Sequence, residues 1–158
     1  MDKYLIINAD DFGLTIGCTL GIIKAIKEGI VTNTTIMMNT AKTQESISLA
    51  KENGLTTLGI HLNLTHGKPL SPTLEVSSII DERGNFKKLP VRLSKQNRYQ
   101  IEKELRIQIN LFLSSGLKLS HIDSHHHVHM QRGIREIAIK LAKENNVPLR
   151  MRKYSIKD

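Results

Sequence analysis

Lys3-Tyr4-Leu5-Ile6-Ile7-Asn8-Ala9 is the stretch on which the fold turns, and Asp10-Asp11-Phe12-Gly13 follows it at once. A short, nearly continuous apolar run reads as a strand buried on both faces, the habit of parallel sheets. The aspartates after it put polar chemistry at that strand's carboxyl end.

Working outward, helix and strand signals alternate strictly. Residues 15–28 carry Ile16, Leu20, Ile23 and Ile26 on one helical stripe, with Gly29 at the C-cap position. Residues 31–38 read as a second strand. A weaker helix spans 43–53, with Thr43 as N-cap and Gly54 at its end. Residues 58–64 form a third strand that delivers His61. Ile101, Leu105, Ile109 and Phe112 mark a helix stopping near Gly116, and 119–124 form a fourth strand. Ile134, Ile137, Ala138, Leu141 and Ala142 give the cleanest helical stripe, which Asn145-Asn146 breaks before a fifth strand over 148–154. This order predicts an α/β fold with a parallel sheet and crossover helices. In such sheets functional groups collect at the carboxyl ends of the strands.

The chain has 158 residues, one domain's worth. A full (β/α) barrel takes about 250 residues, so residues 1–158 read as a barrel-like domain incomplete at its C-terminus. Exposed edge strands in such a sheet favour association, as in a homodimer. Residues 66–100 form a long segment with Pro69, Pro72, Pro90 and the turn signal Gly84-Asn85. It is either a lid over the active face or a surface excursion.

Composition narrows the function classes. The net charge is +8, but the basic residues are scattered and aromatics make up only 4%. Stacking platforms and a concentrated basic face are both missing, which argues against a nucleic-acid partner. The apolar run at residues 4–7 is too short for a signal-peptide core or a membrane span, so the expected location is the cytoplasm. One cysteine, Cys18, in what reads as a helix interior, fits a buried structural thiol and a reducing compartment.

The chemistry lies in three places. The first is the pair Asp10-Asp11. Neighbours on an extended strand point to opposite sides, so both reach one ligand only if the chain bends, which Gly13 permits. Otherwise one of them caps the next helix. The second is His61 in Gly59-Ile60-His61-Leu62-Asn63-Leu64, a polar side chain inside an apolar strand, with Asn63 on its face. The third is His121-Ile122-Asp123-Ser124-His125-His126-His127-Val128-His129. If the strand continues, Asp123, His125 and His127 share one side. Leaving such groups buried and unpaired costs about 1–3 kcal/mol each, which a metal or a substrate relieves. His127 and His129 are also candidates for supporting the ligands from behind. Carboxylates and imidazoles with open positions suit zinc, magnesium or manganese, and an adjacent carboxylate serves as general base. The constellation points to a hydrolase.

These motifs resemble the YdjC family of carbohydrate deacetylases, which includes chito-oligosaccharide deacetylases. The likeness is carried by Asn8-Ala9-Asp10-Asp11-Phe12-Gly13-Leu14-Thr15, Gly29-Ile30-Val31-Thr32-Asn33-Thr34-Thr35 and Met38-Asn39. It continues in Leu58-Gly59-Ile60-His61-Leu62-Asn63-Leu64-Thr65, Gly67-Lys68-Pro69-Leu70 and the histidine cluster. The resemblance implies a barrel-like fold, a divalent metal, usually magnesium, and removal of an N-acetyl group from a small amino-sugar oligosaccharide. It also implies Asp11, His61 and His125 as metal ligands and Asp10 as catalytic base. His127 is a candidate acid for the leaving amine. Family members continue well beyond Asp158.

Two rival readings remain. A metal-dependent phosphoesterase would favour additional Arg or Lys near the metal, and the motifs contain none. A non-catalytic metal- or sugar-binding fragment would bind metal without turnover. A glycosidase fits less well, since it needs two carboxylates held apart across a sugar ring.

Overall fold

The structure, a computed structural model, describes residues 5–89 and 92–151. Four strands, β1 (Asn8–Phe12), β2 (Asn33–Ile36), β3 (Thr57–Leu62) and β4 (Lys118–Ser124), pair in parallel in the order β1-β2-β3-β4. Between and after them run α1 (Ile16–Glu28), α2 (Thr43–Glu52), α3 (Lys95–Ser114) and α4 (Arg135–Glu144). The fold is α/β with helices flanking a parallel sheet, as the alternation predicts.

The sheet has one apolar face and one polar face. Leu58, Ile60 and Leu62 alternate with Gly59 and His61, and Ile122 alternates with His121 and Asp123. The apolar set joins Ile23, Ile47, Ile109, Phe112 and Leu141 of the helices in one core cluster. Strands in sequential order with their helices on one side are the units from which a barrel is built. The described strands form an open four-stranded sheet.

This one-sided burial corrects the first strand. Residues 3–9 were expected to be the strand, with both faces covered. Instead β1 begins at Asn8, and Leu5 and Ile6 are 76% and 75% exposed. The reason is register: Asn8 pairs with Asn33 at the start of β2, so among the described residues no strand lies beside Leu5 and Ile6. Residues 3 and 4 lie outside the described part.

Local signals set the helix ends. The Thr15 side chain accepts a bond from Cys18 N at 3.0 Å and starts α1. Gly29 ends it, and a Cβ there would fall 2.7 Å from the Ala25 carbonyl oxygen. Thr43 is the first residue of α2 rather than its N-cap; Lys42 holds that position. Thr43 Oγ1 instead donates to the Met37 carbonyl at 3.0 Å and accepts from Thr40 N at 3.2 Å, tying the helix to the end of β2. α3 begins at Lys95, with a capping box between Ser94 and Asn97, earlier than its apolar stripe indicates.

The long segment after β3 packs inward. Val76 and Ile79 are fully buried, and Ile80 bridges Phe86 across a turn at Gly84. One face of α3 fastens it. Gln108 bonds both backbone groups of Asn63, Glu104 receives Leu70 N and Ser71 N, and Gln100 receives Ser78 N. The fifth strand is visible at its start, where Ile122 N donates to Pro148 O at 3.0 Å and Arg150 N to Ile122 O at 2.9 Å. Residues 152–154 of that expected strand lie outside the described part. No helix among the described residues is long and apolar enough to cross a membrane.

Candidate metal centre

The carboxyl ends of β1, β3 and β4 bring the polar groups together. At β1 the register gains one residue between Ala9 and Phe12, a β-bulge. Asp11 takes the left-handed backbone conformation there (φ 68°), which Asp tolerates better than most residues. This supplies the bend that two adjacent aspartates need to serve one site. Asp11 Oδ1 lies 3.2 Å from His61 Nε2 and 2.8 Å from His125 Nδ1. Asp10 lies beside this group, within 4.8 Å of a His61 ring nitrogen, and accepts Asn8 Nδ2 at 2.7 Å and Arg150 Nη1 at 2.8 Å on its Oδ1.

His61 is 2% exposed, held between its neighbours in the sheet. Its Nδ1 meets Asp123 Oδ1 at 2.7 Å, and the Thr35 hydroxyl lies 3.2 Å from the same nitrogen. A carboxylate at Nδ1 fixes the tautomer with the proton on that nitrogen. Nε2 then faces Asp11 Oδ1 at 3.2 Å, the nitrogen and oxygen that a metal ion would share. A cation between them makes that contact favourable.

Asp11, His61 and His125 each offer a ligand atom, all within 4.8 Å of one another. The donors, one carboxylate oxygen and two imidazole nitrogens, suit zinc, manganese or magnesium, and Asp123 behind His61 is the outer support that metal-binding histidines use. The residues present fit a divalent ion. Burial holds the His125 imidazole below the ordinary histidine range against the upward pull of Asp11, so the neutral form is favoured. Burial pushes Asp123 upward, but the His61 and Arg150 bonds outweigh it and leave its carboxyl below the usual range.

The histidine cluster does not continue as a strand. β4 ends at Ser124, and His125–Met130 turns into a 3₁₀ helix with left-handed backbone at His126 and His127 (φ 52° and 51°). The shared side expected for Asp123, His125 and His127 therefore does not arise. Asp123 serves His61, His125 meets Asp11, and His127 is exposed, its ring 6.3 Å from that of His129. No hydrogen bond among the described residues ties His127 to the Asp11 group. His126 packs its ring 4.0 Å from that of His125 and bonds the Thr65 hydroxyl at 3.0 Å. His129 is buried between the Ser124 hydroxyl and the Arg150 carbonyl, a support for the turn. Asn63 lies one residue past β3, where it bonds Asn39 Oδ1 and the His66 carbonyl and so shapes the loop rather than joining His61.

Two participants escaped the sequence reading. Arg150 bridges Asp10 and Asp123, at 2.8 and 3.2 Å; its position in a strand aligned with β4 was the available signal. Thr35 touches both His61 and Asp123, and only its place on β2 opposite Gly59 could have pointed to it.

Comparison with known proteins fits this picture. A sequence model of the family described as YdjC-like protein matches residues 4–157. The chain is 47% identical over 146 residues to a carbohydrate deacetylase of Brevibacillus brevis, covering 92% of this chain and 58% of that protein. It is 39% identical over 158 residues to a chitooligosaccharide deacetylase of Yersinia enterocolitica, covering 98% of this chain and 61% of that protein. A crystal structure from Enterococcus faecalis V583, provisionally described as a cellobiose-phosphate cleavage protein, superposes with a TM-score of 0.90 at 39% identity. It covers 99% of this chain and 62% of that one. The chain thus spans about three-fifths of the length of the curated relatives it matches. Its ordered motifs, its sheet and this degree of likeness agree: the chain belongs to the YdjC-like protein family.

Proposed function

We propose that this site hydrolyses the N-acetyl group of a small, chitobiose-like amino-sugar oligosaccharide, releasing acetate with the help of one divalent metal. The observation that carries the reading is the convergence of Asp11 Oδ1, His61 Nε2 and His125 Nδ1. The names of the relatives, carbohydrate deacetylase and chitooligosaccharide deacetylase, support the choice of bond and of sugar. Magnesium is the preferred ion on the family resemblance, with zinc or manganese as alternatives. The ion would polarise the acetyl carbonyl and acidify water, the two demands of amide hydrolysis.

The protein's own groups supply the rest. Asp10 takes the proton of the attacking water. Asn8 and Arg150 aim its carboxylate, both bonding Oδ1 and leaving Oδ2 to act. Asp123, bonded at Nδ1, orients His61 so that Nε2 faces the Asp11 side. The amine leaves with a proton from His127, which is exposed and lines a cavity with Arg150, the partner of Asp10. The reaction belongs in the cytoplasm, the chain's one cysteine suiting a reducing compartment, and the strand edges favour a homodimer.

The test is acetate release from N,N′-diacetylchitobiose with added Mg²⁺ or Zn²⁺. Release that vanishes in Asp10→Asn supports the reading. Metal-loaded protein that releases nothing from this sugar counts against the substrate or against the sufficiency of these residues. If Asp11→Ala, His61→Ala and His125→Ala each left metal binding intact, the proposed centre would be wrong.

A further inference from the structure

We infer that Arg150 is a built-in cation filling the second position of what would otherwise be a two-ion centre, so that the site takes one divalent ion and no more. This rests on the metal reading above. Beside the Asp11 group lies a second set, Asp10, His61 and Asp123, whose ligand atoms also fall within 4.8 Å of one another. The two sets share His61. Its Nε2 looks to the first, and its Nδ1 is committed to Asp123.

The second set is an oxygen cage. Asp10 Oδ1 and Asp123 Oδ2 converge on one point, where Arg150 Nη1 stands 2.8 and 3.2 Å from them. The Thr35 hydroxyl lies 3.3 Å from the same Asp123 oxygen. Asn8 turns its amide nitrogen to Asp10 and Thr35, leaving its Oδ1 buried with no hydrogen-bond partner. Two carboxylates and a hydroxyl are the hard oxygen donors that magnesium and manganese take. A guanidinium keeps its charge at any working pH, so it answers both carboxylates permanently.

The backbone of Arg150 is fixed independently of its side chain. Its N–H donates to Ile122 O at 2.9 Å, and its carbonyl accepts from His129 Nε2 at 2.8 Å. The side chain is 42% exposed, so shortening it opens the cage to water without emptying the core. Two ions about 3.5–4 Å apart clamp the attacking and leaving groups in phosphatases, nucleases and aminopeptidases alike. One ion with a fixed guanidinium beside it leaves Asp10 unligated and free to act on water.

The test counts Mn²⁺ on the whole chain by equilibrium dialysis with metal analysis, alongside electron paramagnetic resonance. The native protein binds one ion with the spectrum of an isolated Mn²⁺. Arg150→Met binds a second and shows a spin-coupled pair. Arg150→Lys, which keeps a cation, binds one, and adding Asp10→Asn to Arg150→Met restores one. Circular dichroism checks each fold, and Arg150→Gln replaces Arg150→Met if the latter misfolds. A single ion in the uncharged variants, or two in the native protein, overturns the inference. No ion in the native protein overturns the metal reading itself.

Discussion

Asp123 stands opposite His61 in the register of β3 and β4 and receives its Nδ1 proton at 2.7 Å. The bond is made within the sheet, between residues whose backbone positions the ladder fixes, so it orients the imidazole before any ligand arrives. Outer-shell carboxylates of this kind are worth about 10–100-fold in metal affinity. Asp123→Ala is therefore expected to weaken Zn²⁺ or Mn²⁺ binding by about that factor in a calorimetric titration, with the far-ultraviolet spectrum unchanged. An unaltered dissociation constant would show that the ladder alone positions His61.

His129 makes stability depend on pH. It is 2% exposed, with Nε2–H donating to the Arg150 carbonyl and Nδ1 facing the Ser124 hydroxyl. Burial lowers its pKa from the ordinary histidine value, outweighing the pull of that carbonyl. The unfolded chain, titrating near about 6.5, then binds the proton first on acidification. The His129 contribution is complete above about pH 6.5 and is lost as pH falls through that value toward the lower folded one. Calorimetric melts at about pH 7.5 and about pH 5.5 should give the lower Tm in acid, and His129→Gln should narrow the gap. The same gap in both proteins would remove His129 from the account.

How much of this was legible varies residue by residue. Leu58-Gly59-Ile60-His61-Leu62 shows its faces by simple alternation, so β3 and the direction of His61 could be read directly. The Asp10-Asp11 pair announced a bend, though only the extra residue in the β1–β2 register locates it at Asp11. The first strand misled because Leu5 and Ile6 are as apolar as any core residue, and hydrophobicity cannot say that no described strand lies beside them. The cluster at residues 125–129 misled because period-2 parity fails once His126 and His127 turn left-handed, a change with no compositional mark. Arg150 joins Asp10 from 140 residues away, a contact that no local pattern encodes.

Glu104 anchors the segment that leads away from the site. Fully buried, it accepts Leu70 N at 3.0 Å, Ser71 N at 2.8 Å, Ser71 Oγ at 2.6 Å and Gln108 Nε2 at 2.8 Å. Glu104→Ala strands several buried donors at about 1–3 kcal/mol each, partly relieved by water, for a loss of roughly 3 kcal/mol. Urea denaturation measures that loss. Hydrogen exchange should quicken at Leu70 and Ser71 well before it does in β3. Uniform exchange across both would mean that the segment and the sheet open together.

Gly59 is where the sheet and the site constrain each other most tightly. A Cβ there would lie 2.4 Å from His121 Cε1 and 2.5 Å from Thr35 Cγ2, closer than atoms can approach. His121 and Thr35 would have to move apart, and Thr35 touches both His61 and Asp123. Gly59→Ala is expected to cost about 1–3 kcal/mol in urea denaturation, the usual penalty of overpacking. Gly21→Ala is the control: it lies within α1 with nothing inside 4 Å of its Cβ position. There the change should add about 0.5–1 kcal/mol, since alanine loses less freedom than glycine in a helix. Metal affinity separates the two effects of Gly59→Ala. If affinity falls with stability, Thr35 transmits the displacement to His61; if stability alone falls, the strain is absorbed at His121, and the pairing of His61 with Asp123 withstands it.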